Sequence, residues 1–334
     1  MKKIFRYFIW FLILLGIMYL LGPKPKSPKL LADLPPSPKS LIVLEDSICR
    51  SEGNPMIKNG NEAKIIWAKD SVPQKTHYSL VYLHGFSASE QEGNPLNREF
   101  AKRYGCNLFL SRLAMHGLKD SNAFEKLTAD TLFNTAKSAL KIGTQIGDSV
   151  ILMATSAGGA LALTLAAIED HTPIKALILY SPCIKIFDPN SKLLDGHWGL
   201  QLARMIVKSK YNKGRQDSFA YKYWYPKYRL EGLVALQNFL DGSMKETNFK
   251  KIKIPVLCLD YYKDQKIQDS TVSVSAIHTM FAQLGTPSSQ KTLLDLPNVG
   301  DHVLASFMRS KDLVSVRKAT FQFAETKLGM KPVF

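Results

Sequence analysis

Ser156, Asp264 and His302 are the residues of this chain whose types and order could do nucleophilic chemistry. A serine hydroxyl attacks well only when a neutral imidazole takes its proton, and a carboxylate must hold that imidazole in the right tautomer. The serine sits in Val150-Ile-Leu-Met-Ala-Thr-Ser156-Ala-Gly-Gly-Ala160, an apolar run, a turn of small residues and then a second apolar stretch. Such a turn would lift Oγ above the end of a strand, near the positive end of the helix that follows. Taken alone, Thr155-Ser156 also suits a plain helix N-cap, so the partners decide.

Ile254-Pro-Val-Leu-Cys-Leu-Asp-Tyr-Tyr-Lys-Asp264 is an apolar run with an acid just beyond its end, and Leu296-Pro-Asn-Val-Gly-Asp-His302 places a histidine after another. Asp264 is the expected acid and His302 the expected base. Asp260, Asp269 and Asp301 are rival carboxylates, of which Asp260 falls inside the strand and Asp269 reads as a helix cap. Acyl transfer also needs N–H groups preorganised about 3 Å from the developing oxyanion. The strand Tyr78-Ser-Leu-Val-Tyr-Leu ends in His84-Gly-Phe86, so the expected donors are Phe86 and Ala157, the residue after the serine. His84 is expected to orient this loop, and His116, in Arg112-Leu-Ala-Met-His-Gly117, to line the site. Surface or capping roles suffice for His77, His171, His197 and His278. Without an HxxxH, HxH or clustered carboxylate pattern, or a Gly-rich phosphate loop, no metal and no cofactor is expected.

These residues need a sheet to position them. Apolar runs at 64–68, 78–83, 107–110, 149–154, 176–180, 254–260 and 292–296 alternate with longer amphipathic stretches. This is the α/β pattern of a mostly parallel central sheet flanked by helices. About seventy residues separate the run ending at Tyr180 from that starting at Ile254, too many for a loop, so an insertion is expected at about 183–250. It holds Trp198, Phe219, Tyr221, Tyr223, Trp224, Tyr225 and Tyr228, suited to an apolar ligand or to the core of a small subdomain.

Residues 1–22 read as a membrane anchor rather than a cleaved signal peptide, because the apolar run is long and no small-x-small site follows it. Lys24, Lys26 and Lys29 balance Lys2, Lys3 and Arg6, and the short N-terminus favours a catalytic domain outside the cytoplasm. Residues 23–40 carry six prolines and read as a semi-rigid spacer before a single domain at 41–334. Residues 1–40 supply +6 of the net charge of +16 and the rest is scattered, with no basic stripe interleaved with aromatics, so nucleic acid is not an expected partner. Four cysteines are too few and too far apart for a disulfide framework; Cys258 reads as core, and a Cys49–Cys106 pair is conceivable.

Together, His84-Gly-Phe86, the Arg112-Leu-x-x-His-Gly117 loop, the small-x-Ser156-x-Gly158-Gly159 turn, Pro255-Val-Leu to Lys263-Asp264, and Gly300-Asp-His302 resemble the monoacylglycerol lipase and carboxylesterase branch of the α/β-hydrolases, which includes serine aminopeptidase-like members. The match spans roughly 64–326. It departs at Ala154, where the commoner motif has Gly, and at Asp260-Tyr261, where many members have His-Gly. The resemblance implies an α/β-hydrolase fold, a helical lid inserted after strand six, and an ester cleaved through an acyl-Ser156 intermediate without a cofactor. Trp224, Tyr225 and His116 are the expected substrate contacts, and lipid-like esters such as monoacylglycerol or lysophospholipid the expected substrates. A serine aminopeptidase or amidase on the same residues, and a catalytically silent membrane-tethered binding module, are the alternatives.

Overall fold

A computed structural model describes residues 2–38, 40–69, 73–168 and 174–333; His171 lies outside them. Seven strands, β1 (Lys64–Ile66), β2 (Thr76–Leu83), β3 (Asn107–Leu110), β4 (Gly147–Thr155), β5 (Ile174–Tyr180), β8 (Val256–Asp260) and β9 (Lys291–Asp295), form one sheet in the order β1-β3-β2-β4-β5-β8-β9. Every pairing is parallel except that of β1 on the edge. All seven coincide with the apolar runs of the sequence.

Side-chain alternation along these strands builds two cores, one on each face of the sheet. Val150, Leu152 and Ala154 of β4 face a core shared with helices α4 (Ala129–Ile146) and α5 (Ala157–Ile168). Ile151 and Met153 face another, shared with α3 (Leu96–Tyr104) and α11 (Leu313–Lys327). Helix α5 is buried almost all round, as its Ala- and Leu-rich sequence requires. Thr128 starts α4 with a capping box, its hydroxyl accepting from Thr131 N–H. The first helices are α1 (Lys2–Leu20) and α2 (Leu41–Glu52), and α10 (Val274–Gln283) precedes β9.

The insertion leaves the sheet after β5, the fifth strand in this chain's own count. It is helical except for one antiparallel pair: α6 (Gly199–Val207), β6 (Tyr211–Lys213), α7 (Ser218–Tyr223), β7 (Lys227–Arg229), α8 (Leu230–Ser243) and the short α9 (Glu246–Phe249). Among the described residues three ion pairs cross from it to the body, Arg215 to Asp301 at 2.7 Å, Asp217 to Arg309 at 2.8 Å and Arg229 to Glu125 at 2.7 Å.

Helix α1 is exposed along its length, and Lys3–Leu20 is long and apolar enough to cross a membrane or to serve as a signal sequence. The proline-rich segment after it has no helix or strand, yet it is not free. It runs along α4, with Lys29 N–H donating to Asp130 at 2.8 Å and Lys137 Nζ donating to the Asp33 carbonyl at 2.9 Å. All four cysteines are free, Cys49 exposed and the others buried, so the Cys49–Cys106 pair is not formed.

Candidate active site

Ser156 occupies the tight turn between β4 and α5 with φ of +55°, in the left-handed region that a residue with a side chain adopts only under constraint. The constraint is visible: its N–H donates to the Tyr180 carbonyl at 3.0 Å, and its own carbonyl accepts from Cys183 N–H at 2.9 Å. A Cβ on Gly158 would lie 2.1 Å from the Leu83 carbonyl oxygen, so only glycine lets α5 pass this close to β2.

His302 accompanies Ser156 in the wall of one cavity of about 480 Å3 roofed by the insertion. Its Nδ1–H donates to Asp269 Oδ2 at 2.5 Å, while its Nε2 is buried without a hydrogen-bond partner. No hydrogen bond joins Nε2 to Ser156, and in sites without substrate such bonds are often open.

The sequence expectation for the acid is corrected here. Asp264 is exposed, and its Oδ1 accepts from the backbone N–H groups of Lys266 and Ile267 in a surface turn. Asp269 lies instead beneath the histidine, 1% exposed, its other oxygen accepting from Thr271 N–H at 2.7 Å and Val272 N–H at 3.2 Å. Burial pushes this carboxyl up, but the His302 ring and these N–H donors outweigh it and hold Asp269 below the usual carboxylate range. Burial pushes His302 down, and the Asp269 carboxylate outweighs that, leaving the imidazole above its ordinary value. Asp301, another rival, is taken by Arg215.

The loop after β2 brings Phe86, one of the two expected oxyanion donors, to the turn that holds Ser156. A Cβ on Gly85 would meet Ser156 Cβ at 3.0 Å, so the His84-Gly85-Phe86 backbone touches the Ser156 turn. The Phe86 N–H donates to no group among the described residues, and Ala157 opens α5, where the first N–H groups have no partner within the helix. His84 orients the loop as expected, Nε2 accepting from Leu113 N–H at 3.1 Å and Nδ1 donating to the Gly85 carbonyl at 2.8 Å.

Of the expected substrate contacts, Trp224 and Tyr225 line the cavity. The Tyr225 hydroxyl, however, bonds the Leu118 backbone at 2.6 and 2.9 Å and fastens the insertion to the body. His116 is corrected: fully buried and outside the cavity wall, it accepts from Ser87 N–H at 3.0 Å and braces the loop that carries Phe86.

Glu92 was not singled out by the sequence. It is buried, lines the cavity and accepts from Gly85 N–H at 2.5 Å. Burial pushes it up to about 7, against the pull of the Gly85 N–H and of His302. Its negative charge in turn favours protonated His302. Glu92→Gln keeps an acceptor for Gly85 and removes that charge, so the acidic limb of the kcat/KM profile should move to lower pH, measured as the midpoint of ester hydrolysis against pH. An unchanged midpoint would mean that Glu92 only shapes the loop.

No protein-family model matches the chain, and no curated protein matches it. Solved structures do. One of the metagenome-derived lipolytic enzymes LipS and LipT superposes with a TM-score of 0.63 at 18% identity, over 80% of this chain and 98% of the other. The monoacylglycerol lipase of Paleococcus ferrophilus gives 0.57 at 12% identity over 78% and 96%. A soluble variant of the Saccharomyces cerevisiae monoglyceride lipase gives 0.58 at 13% identity over 78% and 90%. A mostly parallel sheet of this order, a tight left-handed turn at Ser156 after β4 and this likeness over about four fifths of the chain identify the architecture as the α/β-hydrolase fold.

Proposed function

We propose that this chain is a serine hydrolase that cleaves acyl esters of lipid-like alcohols through an acyl-Ser156 intermediate. The observation that carries the reading is the convergence of Ser156, on a strained turn, and an Asp269-held His302 on one apolar cavity. In the first step His302 Nε2 takes the Ser156 proton as Oγ bonds the acyl carbon. The carbonyl oxygen becomes an oxyanion facing the N–H groups of Phe86 and Ala157. His302 then gives its proton to the alcohol oxygen as the ester C–O bond breaks, and water repeats the sequence to free the acid.

The insertion supports an acyl substrate. Leu194, Leu202, Ile206, Leu233 and Leu236 line the cavity, and its charged lining groups include Arg215 and Arg309. An aminopeptidase would hold a substrate ammonium with full carboxylate charge. Of the lining carboxylates, Asp188 is exposed and caps the Asn190 N–H, and Glu92, raised to about 7, supplies that charge only in part. The solved structures named as monoacylglycerol lipases favour the same direction, as does an N-terminal helix able to reach a bilayer. In this reading α1 stays as an anchor, with the hydrolase on the extracytoplasmic side.

Purified protein lacking α1, assayed on p-nitrophenyl esters of graded acyl length and on aminoacyl p-nitroanilides, tests this. Each buried methylene is worth about 0.8 kcal/mol, so kcat/KM should rise by roughly tenfold or more from acetyl to medium-chain esters. Preference for the anilides would make the amidase reading the correct one, and inactivity of folded protein would favour a silent binding module.

A further inference from the structure

Away from the catalytic cavity, the ends of two neighbouring strands and one helix gather three side chains of metal-ligating type. Asp260 ends β8, Asp295 ends β9, and the two are register partners across the parallel pair. His278 on α10 reaches both, its Nε2 3.2 Å from Asp260 Oδ2 and 3.0 Å from Asp295 Oδ1. One donor atom from each residue lies within 4.8 Å of the other two.

One imidazole N–H cannot satisfy two carboxylates at once. Among the described residues neither is paired with a lysine or arginine. The Asp260 side chain has no exposure, and its Oδ1 is buried with no hydrogen-bond partner. Burial and the adjacent Asp295 carboxyl push Asp260 up to about 8, the mark of two acids crowded with no lysine or arginine beside them among the described residues.

We propose that Asp260, His278 and Asp295 bind a divalent cation, zinc in the first place, through one oxygen of each carboxylate and the histidine Nε2. Zinc holds nitrogen and oxygen ligands at about 2.0–2.2 Å, which sets tetrahedral neighbours about 3.3–3.5 Å apart. The observed 3.0 and 3.2 Å separations need to open by only a few tenths of an ångström. Imidazole among the donors favours zinc over magnesium or calcium. Asp295 and His278 are partly exposed, so water supplies the fourth ligand.

None of the three residues lines the Ser156 cavity, so the ion is structural rather than part of the reaction. It would pin α10 to β8 and β9 where the chain leaves Asp260 for the loop carrying Asp269, whose N–H closes that loop on the Tyr261 carbonyl at 2.9 Å.

The test uses the full chain in detergent, in a Cys49→Ser background so that the exposed thiol takes no metal. After treatment with a chelator, zinc is titrated in competition with a chromophoric chelator and bound metal is counted by mass spectrometry. The expected result is one equivalent per chain and a higher Tm with zinc than without. His278→Ala and Asp295→Asn should each weaken that binding at least tenfold, with near-UV circular dichroism unchanged as the check on folding. No stoichiometric binding, which would leave the two acids sharing a proton, or binding that survives both substitutions, would overturn the proposal.

Discussion

Asp269→Asn is expected to lower kcat for ester hydrolysis by about 10⁴, with KM changed by no more than about threefold, whereas Asp264→Asn should alter neither noticeably. The asymmetry follows from geometry. Asp269 Oδ2 accepts the His302 Nδ1–H, and an asparagine presenting its NH2 there would favour the tautomer whose proton sits on Nε2, the atom that must be bare to take the serine proton. Asp264 only closes a surface turn with Lys266 and Ile267. The pH profile gives a second reading of the same pair. The base must be neutral, and Asp269 holds His302 above its ordinary 6.5, so the wild-type acidic limb should have its midpoint above that value. Removing the carboxylate lowers the His302 pKa, so residual Asp269→Asn activity should titrate at lower pH. Full loss in Asp264→Asn with Asp269→Asn active would reverse the assignment.

Ser156→Ala is expected to remove about 10⁶ in kcat and all covalent labelling by a fluorophosphonate, while the fold is kept. Alanine deletes the hydroxyl oxygen proposed to carry the acyl group and leaves the cavity walls in place. The left-handed backbone is as strained for alanine as for serine, so Tm should move little. Labelling that persists in Ser156→Ala would place the nucleophile elsewhere and sink the proposed chemistry.

The sheet was legible because a parallel strand buried on both faces must be apolar throughout, and each such run in the sequence became a strand. Ser156 was legible for a related reason, since it directly follows β4 and the strand sets its position, whereas His302, several residues beyond the end of β9, was legible from its order in the chain. Asp269 was not. Its Oδ1 does bond backbone N–H groups, at Thr271 and Val272, as a capping residue would, and only the second oxygen reaches His302. Local sequence suggests a local bond for a carboxylate and is silent on what its other oxygen meets thirty residues away. Glu92 was hidden in the same way, because its return to Gly85 is a tertiary contact made by a loop. His116 was placed near the site by its neighbours, but sequence proximity does not say which side of a loop a ring faces. His278 read as a surface residue because its two acidic neighbours come from other elements.

The left-handed turn at residue 156 also has a thermodynamic meaning for the whole chain. Holding a non-glycine residue there costs on the order of 1–3 kcal/mol, against a total stability of about 5–15 kcal/mol for a domain. A glycine would relax that turn, as it does wherever a backbone must adopt positive φ. The margin against unfolding is therefore smaller than this architecture permits, and the deficit is concentrated at the residue proposed to react. Stabilising changes to this protein belong at positions distant from the turn, where the strain that aims the hydroxyl is left untouched.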